Sequence, residues 1–146
     1  MKRLFFSIIG SIFLFCVSVF GVTVSIPNVN VNPGATTVQI PLQFNDATGV
    51  DTIVGFQTTI TFDNSILQAT GISNGSLTSN WTITPNINNP SGSIQIIGID
   101  LNFKGFRGGS GSLCVINFNI IGGTPGLTYP LTITSSKLSN PYGTLI

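Results

Sequence analysis

The sequence contains no histidine and no glutamate, and its four acidic residues are all aspartates. Without histidine it cannot form a Ser-His-Asp or Cys-His nucleophile system or a histidine-ligated zinc site. Charged residues make up 6% of the chain, against about 25% in a typical globular domain. So few titratable groups leave little for acid–base catalysis, and we predict a protein that is not an enzyme and that carries no cofactor and no metal.

Basic residues are also scarce. Beyond the first three residues the chain has only Lys104, Arg107 and Lys137, which cannot form a phosphate-binding surface, so nucleic acid is excluded as a partner. The chain is nevertheless 42% hydrophobic with 11 phenylalanines, and this composition excludes intrinsic disorder.

The N-terminus has the layout of a secretory signal peptide. Lys2 and Arg3 precede an almost wholly apolar segment, residues 4–20, which is followed by the small residue Gly21. We predict that residues 1–21 are removed and that the protein is secreted or extracellular. The alternative is an uncleaved membrane anchor, for which a segment of 17 residues is at the short end. Contact with the membrane is expected only through this segment.

The predicted mature domain, residues 22–146, retains one of the two cysteines, so it cannot form an internal disulfide. Its Cys114 lies in an alternating apolar run, which favours a buried small side chain over a reactive thiol. Three cations and four anions remain in this domain.

Hydrophobic residues alternate with polar ones along most of the remaining chain. In residues 54–62 the apolar positions include Val54, Phe56, Ile60 and Phe62, and this period of two predicts strands with one buried face. Proline–glycine turns separate such runs, and residues 105–111 (GFRGGSG) are predicted to be a flexible connection. The predicted strands are 22–31, 37–44, 53–62, 66–71, 81–85, 93–101, 112–121 and 128–137.

Eight short strands with turns at this spacing predict an all-β, antiparallel β-sandwich. Serine, threonine and asparagine make up 46 of the 146 residues, and they replace charges at the outward strand positions. Asp63 follows a strand and is expected to cap a turn through backbone N–H groups. Asp46 and Asp51 share a loop that lacks the dense acidic spacing of a dedicated calcium site.

Several segments together resemble the cohesin domain, a jelly-roll sandwich of bacterial scaffolding and cell-surface proteins. The most specific are an aromatic-Asp-x-x-x-Leu step and a Gly-x-Gly-x-Leu-x-x-Ile-x-Phe run. Carbohydrate-binding modules of related topology share several of these features. The resemblance covers about residues 22–143 and is carried by residues 38–42 (VQIPL), 54–56 (VGF), 62–67 (FDNSIL), 94–98 (IQIIG) and 109–118 (GSGSLCVINF).

The resemblance implies a non-catalytic recognition module that binds dockerins, small calcium-binding helical modules on enzymes, in a protein linked to polysaccharide degradation. Cohesins bind through one sheet face that includes their third strand, and the matching outward positions here are Gly55, Gln57, Thr59 and Thr61. These positions are equally compatible with plain solvated strand residues. A cohesin also closes with a ninth strand, which is not evident before Ile146, and we expect the sequence to be a fragment.

The alternative function is carbohydrate binding, in which sugar rings stack on exposed aromatic side chains. Trp81, with Asn80 beside it, has the best local setting for this role, and Tyr129 is a further candidate. A tryptophan is more often buried in a core or at a sheet edge, so Trp81 has a structural interpretation as well.

Overall fold

The computed structural model describes residues 21–32, 34–49 and 51–146, and the predicted signal peptide lies outside these residues except for Gly21. Within them no helix is long and apolar enough to cross a membrane. The strands are β1 (Thr23–Ser25), β2 (Thr37–Asp46), β3 (Thr52–Ile53), β4 (Gly55–Thr61), β5 (Leu67–Asn74), β6 (Thr82–Asn88), β7 (Ser93–Ile99), β8 (Phe106–Arg107), β9 (Gly109–Ile120) and β10 (Thr132–Ser139), with one 3₁₀ turn at Asn89–Ser91.

Two four-stranded antiparallel sheets form the sandwich. One has the order β1-β2-β9-β5 and the other the order β10-β4-β7-β6, while β3 and β8 form a separate two-stranded ribbon. The described chain is therefore all-β, as predicted. The chain alternates between the sheets, so most neighbours within a sheet are distant in sequence. After β10, Leu145 pairs with Ser139 through an isolated antiparallel bridge.

The core lies between the sheets because each long strand turns its alternate side chains inward. In β2 these are Ile40, Leu42 and Phe44, and all three are buried. A row of four aromatic rings extends the core at one end of the sandwich. There the ring centroids are 4.9 to 6.2 Å apart along Phe44, Phe106, Trp81 and Phe56.

The two long sides of the sandwich differ. On the β5/β6 side, side-chain amides connect the sheets: Asn89 bonds both backbone groups of Ala69, and Asn74 donates to the carbonyl of Trp81 at 2.8 Å. On the β1/β10 side a cleft of about 370 Å³ lies between the sheet edges. It is lined by Gly21, Val22, Val24, Thr48, Asp51, Ser136, Leu138 and Ile146.

All eight predicted strand regions contain strands, with shifted ends. The first is much shorter than predicted, since β1 covers only residues 23–25 of 22–31. The prediction of a flexible connection at residues 105–111 is wrong. This segment contains β8 and the start of β9, because Phe106 and Arg107 pair with Ile53 and Thr52.

Candidate binding face

The outward side of the β10-β4-β7-β6 sheet is a continuous surface, which we call the outer face. The register places the four predicted positions Gly55, Gln57, Thr59 and Thr61 on this side of β4. Residues of three other strands lie beside them in hydrogen-bonded rows. These neighbours are Thr132, Ser135, Lys137 and Ser139 of β10, Ser93, Gln95, Ile97 and Ile99 of β7, and Thr82, Thr84, Asn86 and Asn88 of β6.

The four predicted positions are not equally accessible. Gln57, Thr59 and Thr61 are half-buried, whereas Gly55 is buried. A Cβ atom at Gly55 would lie 2.6 Å from Oγ of Ser139, so the absence of a side chain lets β10 pass close by. A partner could therefore contact Gln57, Thr59 and Thr61 directly, but Gly55 only in part.

The apolar part of the outer face lies on β7, one of its two inner strands. Ile97 and Ile99 each remain 42% exposed, while Ile94 and Ile96 of the same strand are fully buried. Gly98, between the exposed pair, points inward, and a Cβ there would collide with the ring of Phe56. The sequence analysis missed these isoleucines, because an apolar run such as residues 94–99 does not by itself show which alternate set points outward.

The outer face carries almost no charge. Among its residues defined above, Lys137 is the one charged side chain, and it is exposed beside Gln57. The rest are hydroxyl, amide, glycine or aliphatic residues. Contacts with a partner would therefore depend on apolar burial and on neutral hydrogen bonds, which make only a weak long-range field.

The structure corrects the predicted carbohydrate-binding site. Trp81 is only 9% exposed and is stacked between Phe56 and Phe106, so it offers no free ring face to a sugar. Asn80 is exposed next to it. Tyr129 is half-buried on a distant loop, where its hydroxyl accepts a hydrogen bond from the Thr124 N–H at 2.6 Å. The structure does not bring these three residues together.

Three aspartates cap backbone turns, and in each the pKa of the carboxyl group is lowered. The hydroxyl of Thr48 is the main cause for Asp46, the hydroxyl of Ser65 for Asp63, and the Gly105 N–H for Asp100. The turn-capping role predicted for Asp63 is confirmed, since the backbone N–H of Ser65 donates to it at 2.9 Å. These carboxylates stabilise loops.

The second carboxylate oxygen of Asp46, Oδ2, is buried and makes no hydrogen bond within the described residues. Its Oδ1 accepts the backbone N–H groups of Thr48 and Gly49 at 2.8 and 3.1 Å. The described part of the chain holds no group of three or more aspartate or cysteine side chains that could bind a metal ion.

Cys114 is fully buried, as its alternating apolar setting predicts. Burial raises the pKa of its thiol to about 12, because a thiolate would be poorly solvated between the sheets. The thiol is therefore a packing group.

Comparison with solved structures finds the same fold in several cohesins. One similar structure is a non-cellulosomal cohesin from the archaeon Archaeoglobus fulgidus. It has 18% identity, a TM-score of 0.69, and coverage of 86% of this chain and 82% of that chain. A second is the sixth cohesin of Acetivibrio cellulolyticus scaffoldin B in complex with a Cel5 dockerin mutant. It has 22% identity, a TM-score of 0.71, and coverage of 86% and 90%.

A third similar structure is the OlpA cohesin of Clostridium thermocellum in complex with Doc918, a type I cohesin–dockerin complex. Its identity is 16%, its TM-score 0.72, and it covers 86% of this chain and 90% of that chain. No curated protein sequence matches the chain. The family model for the cohesin domain, however, matches residues 22–143. The chain therefore belongs to the cohesin domain family.

Proposed function

We propose that this protein is a non-catalytic recognition module that binds a dockerin-type module through the outer face. The observation that carries the proposal is the exposed pair Ile97 and Ile99 on an inner strand of a nearly uncharged sheet surface. Exposed apolar side chains bordered by polar ones mark protein-binding surfaces. The complexes of two related cohesins with dockerins support the choice of partner.

The predicted positions on β4 lie inside this proposed contact. Gln57 is adjacent to Ile97 in the β4–β7 register, and Thr59 is adjacent to Gln95. In this role Gln57 and Thr59 offer hydrogen bonds beside the exposed isoleucines of β7. The buried Gly55 allows β10 to pack closely against β4.

The test is binding of the full chain to a panel of dockerin modules, with and without calcium, measured by pull-down and calorimetry. Gln57→Arg places a long cation in the proposed contact and should abolish the interaction. Gln39→Arg is the matched control, because Gln39 is exposed on the opposite sheet and bonds Asn117 at 3.0 Å. Failure of every dockerin to bind, or equal loss in both variants, would contradict the proposal.

We also propose that the module is exported and works outside the cell. The basic start and apolar segment of residues 1–21 support this proposal. Expression in a secreting host should give a protein in the medium whose N-terminal residue is Val22. Retention of the protein in the membrane with Met1 intact would instead identify an uncleaved anchor.

We propose that this module belongs to a scaffold protein that holds polysaccharide-degrading enzymes. Support comes from the relative that belongs to a scaffoldin, while the archaeal relative is described as non-cellulosomal. Capture of dockerin-bearing enzymes from the culture medium of the native organism, followed by mass spectrometry, tests the setting. Recovery of dockerin proteins without any polysaccharide-degrading enzyme would contradict it.

A further inference from the structure

The loop that follows β7 displays two large apolar side chains. Leu101 is 67% exposed and Phe103 is 62% exposed. Leu101 lies only two residues beyond Ile99, so the exposed apolar residues of β7 continue into this loop. We call Ile97, Ile99, Leu101 and Phe103 the apolar stripe.

The loop is held in place by a buried aspartate. The carboxylate of Asp100 accepts the N–H groups of Asn102 at 2.9 Å and Gly105 at 2.7 Å, and its carbonyl accepts the Phe103 N–H at 3.1 Å. The N–H of Asp100 donates to the Val54 carbonyl at 2.9 Å, which anchors the loop to the chain just before β4.

Phe103 has a backbone conformation that is unfavourable for its residue type. Its φ is +54°, and it is the one non-glycine residue with positive φ in the described chain. A bulky residue in the left-handed region is strained, and the exposed ring gives little burial in return. Strained residues of this kind cluster at active sites and ligand-binding sites.

The charge of the outer face limits the chemistry of the partner. An apolar stripe gains nothing from a cationic or anionic partner surface, because burial of an unpaired charge costs free energy. Lys137 is exposed on the same face, in the row that contains Gln57 and Ile97. Within the outer face only Lys137 would favour a partner charge, and it would be an acidic one. The loop after β7 adds a second exposed cation, Lys104, directly after Phe103.

We propose that the dockerin bound by this protein presents an apolar, uncharged helix surface to the apolar stripe, with a single acidic side chain opposite Lys137. The inference rests on the proposed function and specifies the chemistry of its partner. Leu101 and Phe103 then form one end of the contact and favour dockerins with apolar residues there. Since few charges take part, the affinity should depend little on salt.

The experiment measures calorimetric affinity of the full chain for the dockerin that binds best in a panel that includes the Cel5 dockerin and Doc918. Leu101→Ala and Phe103→Gly should each weaken binding by about tenfold or more, as expected for buried contact residues. Glycine accepts positive φ, so Phe103→Gly should keep or raise the urea midpoint. Leu127→Ala is the matched control, since Leu127 is 64% exposed on the loop before β10, and it should change affinity less than about twofold.

Two further readouts test the partner chemistry. The dissociation constant should change less than about threefold between 0.05 and 0.5 M NaCl, and Lys137→Glu should weaken binding. Unchanged affinity in Leu101→Ala and Phe103→Gly, or a steep salt dependence, would overturn the inference while dockerin binding itself stands. Absence of binding by the whole panel would overturn the proposed function and this inference with it.

Discussion

The side-chain amide of Asn89 pairs with the backbone of Ala69 as a neighbouring strand would. Its Oδ1 accepts the Ala69 N–H at 2.8 Å, and its Nδ2 donates to the Ala69 carbonyl at 3.0 Å. Ala69 lies next to the register shift between β5 and β9, where the regular ladder is interrupted. One side chain thus satisfies two backbone groups and also connects the two sheets.

Replacement of Asn89 should therefore destabilise the fold. Asn89→Ala leaves both backbone groups of the buried Ala69 without this partner, and we expect a loss of about 1–3 kcal/mol in the free energy of unfolding. Asn89→Asp keeps the acceptor but loses the donor, and it should be at least as destabilising. Urea denaturation measures both variants. Asn86→Ala, at an exposed position of β6, is the control, and an equal loss there would contradict the assignment.

The buried hydroxyl of Thr78 also satisfies two backbone groups. It donates to the Leu113 carbonyl at 2.6 Å and accepts the Gly75 N–H at 3.0 Å. Thr78→Val keeps the shape but removes both hydrogen bonds, and it should cost about 1–3 kcal/mol. Thr78→Ser keeps the hydroxyl and should cost less. If the serine variant were the less stable of the two in urea, the lost methyl group rather than the hydrogen bonds would dominate.

Gly98 is predicted to be intolerant of any side chain. A Cβ there would overlap the ring of Phe56, which stacks on Trp81 at 6.2 Å. Gly98→Ala should cost about 1–3 kcal/mol through overpacking and should shift the tryptophan fluorescence of the folded protein. Gly71→Ala is the matched control, because a Cβ at Gly71 meets no atom within 4 Å and the emission should stay unchanged. Equal effects in both variants would contradict the packing argument.

Acid should lower the stability of the fold. The pKa of Asp100 is lowered from 3.8 in the folded protein, so its contribution is present above that value and is lost as the pH drops through the lower folded value. The chain has no histidine, so no side chain of that type titrates between pH 5 and 8. Urea midpoints should show a smaller difference between wild type and Asp100→Asn at pH 3 than at pH 7. The same difference at both values would show that the carboxylate charge is not involved.

The thiol of Cys114 should be unreactive in the folded protein. Its pKa of about 12 leaves almost no thiolate at neutral pH, and the side chain is fully buried. In a Cys16→Ser variant, Ellman's reagent should label Cys114 slowly in buffer and rapidly in urea. Rapid labelling in buffer would indicate that the sandwich opens frequently near β9.

The strands could be predicted because every second side chain of a strand faces the core, and apolar residues therefore alternate with polar ones in the sequence. The same alternation placed Gln57, Thr59 and Thr61 on one face of β4. It failed where structure depends on distant partners: β8 is short and lies in a glycine-rich segment, and only its pairing with β3 makes Phe106 and Arg107 a strand.

The exposure of Ile97 and Ile99 on the outer face was harder to predict for a related reason. A run such as Ile94–Ile99 indicates a fully buried strand when it is taken alone. Only the fit of Gly98 against Phe56 shows which alternate set points inward. The burial of Trp81 was likewise undecided, since its place between Phe56 and Phe106 depends on two strands far from it in sequence.

The difference between the two long sides of the sandwich implies an order of loosening. Side-chain amides link the two sheets on the β5/β6 side, including the pair of hydrogen bonds between Asn89 and Ala69, whereas a cleft separates β1 from β10 on the other side. Fluctuations should therefore separate the two sheets first at the β1 and β10 edges, while the β5 and β6 edges stay together. Because β10 is one edge of the outer face, contacts of a bound partner with β10 should be the first to break, and those with β6 the last.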